Sequence, residues 1–147
     1  MHTFQETPPS PVGRLEYAVR RDGELIETVS DPNVIVELSR QIHAKLLGGA
    51  ANQSVTRIGF GTSGAAASAG NTVLTNAFVK AIDSVTYPAA NKVQFNFSLL
   101  SGEANGKLLM EFGLLTEGGV LYARRVRTTA LSKETDVSLS GSWVITF

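Results

Sequence analysis

Residues 93–99 read VQFNFSL and residues 137–147 read VSLSGSWVITF, and these two stretches decide the fold. In both stretches the apolar residues occupy odd positions, which is the period of a strand with one face in a core and the other in water. This alternation places Trp143 in the core. Because the second stretch continues to Phe147, we expect the end of the chain to take part in the packing.

Further runs with strand character surround these two stretches. Predicted strands cover residues 55–58, 73–85, 92–100, 107–115, 120–127 and 136–147. Turns rich in Gly and Asn, such as Asn105-Gly106, separate the later ones. Short strands at this spacing are typical of all-β domains. The sequence therefore predicts a mostly β fold, specifically an antiparallel β-sandwich that is jelly-roll-like.

The N-terminal residues differ from the rest in composition. Residues 1–13 contain Pro8, Pro9 and Pro11 and are predicted to form an extended arm, either a frayed terminus or a segment that orders against a neighbouring subunit. Residues 14–147 are then a single β-rich domain.

A hairpin and a helix are expected to open this domain. Asp22-Gly23, between two alternating runs, predicts a tight hairpin turn. Asp31-Pro32 is a helix-start signal, because Asp can cap the first turn and Pro suits it. An apolar stripe at helical spacing then continues to the Gly48-Gly49 pair, so we expect one amphipathic helix over about residues 32–47.

Composition narrows the function classes. The 147 residues hold 13 basic and 13 acidic side chains, a balance that argues against a nucleic-acid binder. The absence of cysteine excludes thiolate metal sites and cysteine nucleophiles. We find no signal-peptide pattern and no long apolar run, so we expect a protein made in the cytoplasm, without a membrane partner.

The most suggestive motif for chemistry is Gly59-Phe-Gly-Thr-Ser-Gly64, which fits the G-x-G-x-x-G pattern of dinucleotide sites. A nucleotide site needs a helix after the glycines, but Gly and Asn interrupt residues 65–71 within about two turns. We therefore interpret residues 59–71 as a flexible loop with few anchoring groups, and expect no cofactor. His2 and His43 have no second ligand at useful spacing, so we expect no metal.

Three carboxylates lie near the predicted strands, at Glu103, Glu111 and Glu117. Two acids across a cleft could support glycoside hydrolysis. A solvated face or cross-strand pairs with arginines is the simpler interpretation. We therefore do not expect an enzyme, and we keep a small hydrolase that uses two of these glutamates, including Glu111, as a remaining alternative.

The only basic cluster is Arg124-Arg125-Val126-Arg127. In a regular strand Arg125 and Arg127 share one face and Arg124 points to the other, which divides the charge. An ion pair between subunits, with Glu111 as a partner, is therefore one expected use of these arginines, and plain surface charge is the alternative.

The C-terminal part also resembles a known family. The stretches that carry the resemblance are Asn91-Lys-Val-Gln-Phe95, Gly102-Glu-Ala-Asn-Gly106, Met110-Glu-Phe-Gly-Leu-Leu115, Leu121-Tyr-Ala-Arg-Arg125, Leu131-Ser-Lys133 and Gly141-Ser-Trp-Val-Ile145. Together they are similar to a module of minor structural proteins of tailed bacteriophages, which are tail-fibre, collar or baseplate components. The upstream hairpin, helix and Gly59 loop fit the same pattern. The resemblance implies a non-enzymatic virion component.

Such a component acts through interfaces. The expected contact regions are the arm with Pro8, Pro9 and Pro11, the loop 59–71 with Phe60, and the Arg124–Arg127 strand. We expect a homo-oligomer, with a trimer favoured by analogy with fibres, and other virion proteins as partners. The alternative hypothesis is a carbohydrate-binding β-sandwich that recognises a glycan on the host surface.

Overall fold

A computed structural model describes residues 10–147 of the chain. Nine strands and one α-helix follow one another in this part, in the order β1 (Val12–Arg21), β2 (Glu24–Ile35), α1 (Leu38–Leu47), β3 (Val55–Gly61), β4 (Phe78–Ala81), β5 (Ser84–Ala89), β6 (Lys92–Leu99), β7 (Lys107–Thr116), β8 (Leu121–Lys133) and β9 (Val137–Thr146). The protein is therefore mostly β, as the alternation predicts.

The strands form one curled antiparallel sheet in the order β4-β3-β7-β8-β2-β1-β9-β6-β5. The sheet bends sharply at two places, where it passes from one half of the domain to the other. β2 pairs with β1 along most of its length, whereas only Val34 and Ile35 pair with β8. Between β4 and β5, the backbone N–H of Ile82 donates to β3 and that of Asp83 donates to β6. The two halves thus enclose one core, which makes the fold sandwich-like.

The predicted alternation of the C-terminal strands is confirmed up to Ile145, whereas Phe147 lies beyond β9 and is 57% exposed. Trp143 is completely buried, and it lies between Leu15 of β1 and Phe95 of β6 in the paired register. Across the core, the ring of Phe97 lies 6.1 Å from that of Phe60 in β3. Aromatic side chains from both halves of the sheet therefore fill the centre of the domain.

The predicted hairpin is also confirmed. Arg21 and Glu24 are the last paired residues of β1 and β2, so Asp22 and Gly23 form a two-residue turn. Both turn residues have positive φ, 51° and 81°, which is the conformation that such turns require. The Asp-Gly pair therefore sets the register next to the turn, and the register shifts by one residue between Val19 and Arg20.

The predicted helix start is wrong. The segment around Asp31 and Pro32 continues β2, where Pro32 lies opposite Arg14 of β1, and α1 begins only at Leu38. Strand pairing and an ion pair from Asp31 to Arg125, at 3.0 Å, outweigh the local capping signal. Tertiary contacts thus override a capping signal that is local.

The boundary of the predicted arm shifts as well. Val12 and Gly13 already belong to β1, and Pro11 directly precedes that strand. Gly13 lies opposite Asn33, whose carboxamide occupies the space that a Cβ at Gly13 would take. That carboxamide accepts the indole N–H of Trp143 at 2.9 Å. Pro8 and Pro9, like His2, lie outside the described residues.

The single strand predicted over 73–85 is wrong too. Residues 62–77 contain no strand, and the remainder divides into β4 and β5, which lie at opposite ends of the sheet order. The bend at Ile82-Asp83 explains the division, because the chain there passes from one half of the sheet to the other. The predicted strand 120–127 also extends further, to Lys133.

Candidate functional site

The buried centre of the predicted contact region is an ion pair within the chain. Glu111 of β7 and Arg124 of β8 are 0% and 2% exposed, and the guanidinium Nε donates to Glu111 Oε1 at 2.9 Å. The expectation that Glu111 joins a pair between subunits is therefore wrong, because its carboxylate is enclosed in its own subunit. The predicted alternative, a cross-strand pair, is the one that forms.

This ion pair anchors the loop that follows β3. The second oxygen of Glu111 accepts the backbone N–H groups of Ser63, at 2.7 Å, and of Thr75, at 3.0 Å. Arg124 donates to the side chain of Asn71 and to the carbonyl of Ser63. The prediction of few anchoring groups is therefore wrong, since two buried charged side chains on the strands beneath hold this loop.

The glycines of the G-x-G-x-x-G motif have a packing role. Gly61 lies opposite Glu111, and a Cβ at Gly61 would stand 2.6 Å from the Glu111 carboxylate. Gly59 lies opposite Gly113, and the side chain of Leu74 fills the space above both. No helix occurs in residues 62–77. The missing side chains at these glycines thus leave room for Leu74 and Glu111. A dinucleotide-binding turn differs, because a helix follows its glycines.

The other two arginines bridge strands where the backbone ladder is missing. β2 and β8 are paired only at Val34 and Ile35. Beyond that point Arg125 reaches Asp31 at 3.0 Å and Arg127 reaches Glu27 at 3.1 Å. Side-chain ion pairs thus connect β8 to β2 where these strands separate.

Arg127 also contacts the core through a tyrosine. Its guanidinium donates to the hydroxyl of Tyr17 at 2.5 Å and to the carbonyl of Thr129 at 3.0 Å. Burial raises the pKa of Tyr17, and the nearby Arg127 charge opposes that rise. All three arginines that were expected to form contacts therefore have hydrogen-bond acceptors within their own subunit.

Phe60 does not form a surface contact. Its side chain is completely buried, and its ring packs edge-to-face on Phe112 at 5.3 Å between centroids. The expectation that Phe60 is an interface residue is therefore wrong, because β3 extends to Gly61 and turns Phe60 into the core. Pro11 remains partly exposed just before β1.

The three carboxylates considered for hydrolysis are each bound to a separate cation. Glu103 contacts Lys80 at 2.7 Å, and Glu117 contacts Arg57 at 3.2 Å. Burial raises the pKa of Glu103, but hydrogen bonds from Lys80 and a backbone N–H outweigh it, so the pKa is lowered. Hydrogen bonds from Thr56 and Arg57 lower the pKa of Glu117. No raised pKa marks either group as a general acid.

A cavity that the sequence does not predict lies beneath the helix. It has a volume of about 370 Å³ and is lined by α1 and by residues of β3, β5, β6, β8 and β9. It is partly open to solvent, because Tyr87 and Phe147 in its wall are 76% and 57% exposed. Its lining residues are Ile42, His43, Leu46, Ser54, Val55, Thr56, Val85, Tyr87, Val93, Phe95, Tyr122, Ile145 and Phe147. The side chains of this lining are mostly apolar, and none is a carboxylate, lysine or arginine.

One polar pair stands in the wall of this cavity. His43 Nε2 lies 2.8 Å from the hydroxyl of Tyr122, a hydrogen bond whose donor depends on the imidazole tautomer. Burial lowers the pKa of His43 and raises the pKa of Tyr122 to about 12, so both groups are neutral at pH 7.

An irregularity in β8 sets the position of Tyr122. The register of β7 with β8 shifts so that Leu115 faces Leu121 and Leu114 faces Ala123, which leaves Tyr122 without an opposite residue. Such a bulge changes the direction of a side chain. Simple alternation would put Tyr122 on the face of Arg124, so the sequence pattern could not reveal its contact with His43.

The most open part of the sheet is β5. All six of its residues are exposed, including Tyr87 at 76%, and β5 pairs only with β6. Its other edge has no strand partner among residues 10–147. An unpaired edge offers backbone donors and acceptors to another strand.

Within residues 10–147, no group of three or more His, Cys, Asp or Glu residues could hold a metal ion. In the same range, no helix has the length and apolar character needed to span a bilayer. Comparisons with family models, with curated proteins and with solved structures found no match.

Proposed function

We propose that this chain is a non-enzymatic structural component of a tailed-phage virion and that it acts through contacts with neighbouring subunits. The tail-fibre, collar or baseplate setting rests on the sequence resemblance of residues 91–145. On this proposal the chain is made in the host cytoplasm and then incorporated into the particle.

The exposed edge of β5 is the observation that carries the contact role. Its exposed residues and unpaired outer edge favour the addition of a strand, and we propose that a neighbouring copy of the chain in the oligomer supplies it. Pro88 in this strand is compatible with an edge position, because proline cannot donate to a ladder.

The ionic groups of the domain support a structural role. Arg124, Arg125 and Arg127 each bind an acidic partner inside the subunit, and Glu111 also holds a loop. Because each arginine has an acidic partner in its own subunit, the three side chains do not form a free basic cluster. The contact surface is then expected at β5 and at the arm, including Pro11, in place of the arginine strand.

Light scattering on the purified full chain at micromolar concentration tests this proposal. We expect a homo-oligomer, with a trimer favoured. Thr86→Lys adds a charge to the exposed edge strand and should shift the protein toward monomer, because charged edges disfavour strand addition.

The matched control is Ser140→Lys, which adds the same charge at an exposed position in the central strand β9. It should leave the oligomer intact. A monomer at every concentration that binds glycans on an array would contradict the proposal and favour the carbohydrate-binding alternative.

A further inference from the structure

The cavity beneath α1 combines three properties of a ligand site. Its volume of about 370 Å³ falls within the range of roughly 300–1,000 Å³ that is usual for small-molecule pockets. Its wall is mostly apolar. It also contains one polar pair, His43 and Tyr122, which contact each other across 79 residues of sequence.

The charge of the lining defines the class of ligand. No lining side chain is a carboxylate, lysine or arginine, and the polar pair is neutral. A charged group placed against this wall would therefore lose part of its hydration without gaining a side-chain counterion. An uncharged, mostly apolar molecule matches the wall, because burial of its surface is favourable.

The polar pair can bind one further group. If Tyr122 donates its O–H to His43, its oxygen lone pairs can still accept a hydrogen bond, and if it accepts from His43, its O–H can still donate. The first arrangement suits a ligand hydroxyl or amine N–H, and the second suits a ligand hydroxyl or carbonyl. In both cases this pair would orient an otherwise apolar molecule.

We propose that this cavity binds an uncharged, predominantly apolar small molecule that has one hydrogen-bonding group directed at His43 and Tyr122. The site lies within one subunit, and it shares Val85 and Tyr87 of β5 with the proposed contact strand. A protein that fails to oligomerise would leave this proposal standing, and a protein that fails to bind such a molecule would leave the assembly proposal standing.

Two fluorescent probes with the same ring system test the proposal on the full chain. Phenylnaphthylamine is uncharged and carries one N–H, whereas anilinonaphthalenesulfonate adds an anionic group to that skeleton. We expect saturable enhancement of phenylnaphthylamine fluorescence, with an affinity at least about tenfold higher than for the sulfonate. Absence of saturable binding, or equal affinity for both probes, would overturn the proposal.

Neighbouring leucines at the end of α1 provide a matched pair of variants. Leu46 lines the cavity, whereas Leu47 is 94% exposed and does not line it. Leu46→Glu and Leu47→Glu place the same charge in the same helical turn, so their effects on helix stability should be similar. Leu46→Glu should weaken phenylnaphthylamine binding by about tenfold or more, and Leu47→Glu should leave it unchanged.

A second pair of variants covers the case in which Leu46→Glu fails to fold. Val85 lines the cavity from β5, and the next residue, Thr86, does not. Val85→Phe should fill the cavity and remove probe binding, whereas Thr86→Phe should retain it. Equal binding by the two members of either folded pair would overturn the proposal, because the probe would then be bound elsewhere.

Discussion

Replacement of Arg124 by Met should destabilise the domain strongly. The substitution leaves the Glu111 carboxylate, which is 0% exposed, without its counterion. Breaking a buried ion pair in this way costs about 3–5 kcal/mol. Two backbone N–H groups still bind Glu111, so we expect the lower end, about 3 kcal/mol. For a chain of this size that corresponds to a fall in melting temperature of about 6–12 °C.

The matched control is Arg125→Met in the same strand. Arg125 is 28% exposed and pairs with a partly exposed Asp31, so its loss should cost only about 1 kcal/mol or less. Urea unfolding of both variants, followed by circular dichroism, measures the difference. Equal losses for Arg124→Met and Arg125→Met would refute the assignment of Arg124 to a buried network.

The double variant Glu111→Met with Arg124→Met separates charge from loop anchoring. It leaves no buried charge, so it should recover part of the stability that the single variant loses. The backbone N–H groups of Ser63 and Thr75 would lose their acceptor, and proteolytic cleavage within residues 62–77 should become faster. No recovery of stability in the double variant would contradict the charge argument.

Three further predictions test the core, the glycine motif and the histidine. Trp143→Ala should cost about 3–5 kcal/mol in urea unfolding, and a loss below about 1 kcal/mol would contradict its burial. Gly61→Ala should cost about 1–3 kcal/mol, because Glu111 is held in place and cannot yield; Gly70→Ala, where a Cβ meets nothing within 4 Å, should be nearly neutral. Burial lowers the pKa of His43, so stability should be full above pH 6.5 and fall as the pH drops toward the folded-state pKa. His43→Phe should reduce this slope in thermal melts between about pH 7 and 5.5, and an unchanged slope would contradict it.

Local sequence patterns predict an element correctly where its tertiary contacts favour the same conformation. The alternation around Trp143 and the Asp22-Gly23 turn are confirmed because each depends on residues close in sequence. The helix start at Asp31-Pro32 is wrong because a strand pair with β1 and an ion pair with Arg125 are stronger than one cap. The sequence does not reveal either contact.

The candidate site was less predictable than the fold. A glutamate and an arginine in neighbouring predicted strands suggested the partners Glu111 and Arg124, but not that a loop would bury them. The prediction that Phe60 lies in a surface loop is wrong. The glycines around it are typical of a loop, but here they belong to β3 and make room for Leu74 and Glu111. The sequence does not predict the cavity, because the contact between His43 and Tyr122 depends on a bulge in β8.

The most direct test of the proposed assembly role is the density of purified tailed particles from a phage that encodes this chain, combined with mass spectrometry of the same particles. We expect the chain in a fixed number of copies per particle, with the sandwich-like domain resolved and the β5 edge against a neighbouring subunit. Absence of the chain from intact particles would contradict the virion role, and a domain whose β5 edge faces only solvent would contradict the proposed contact.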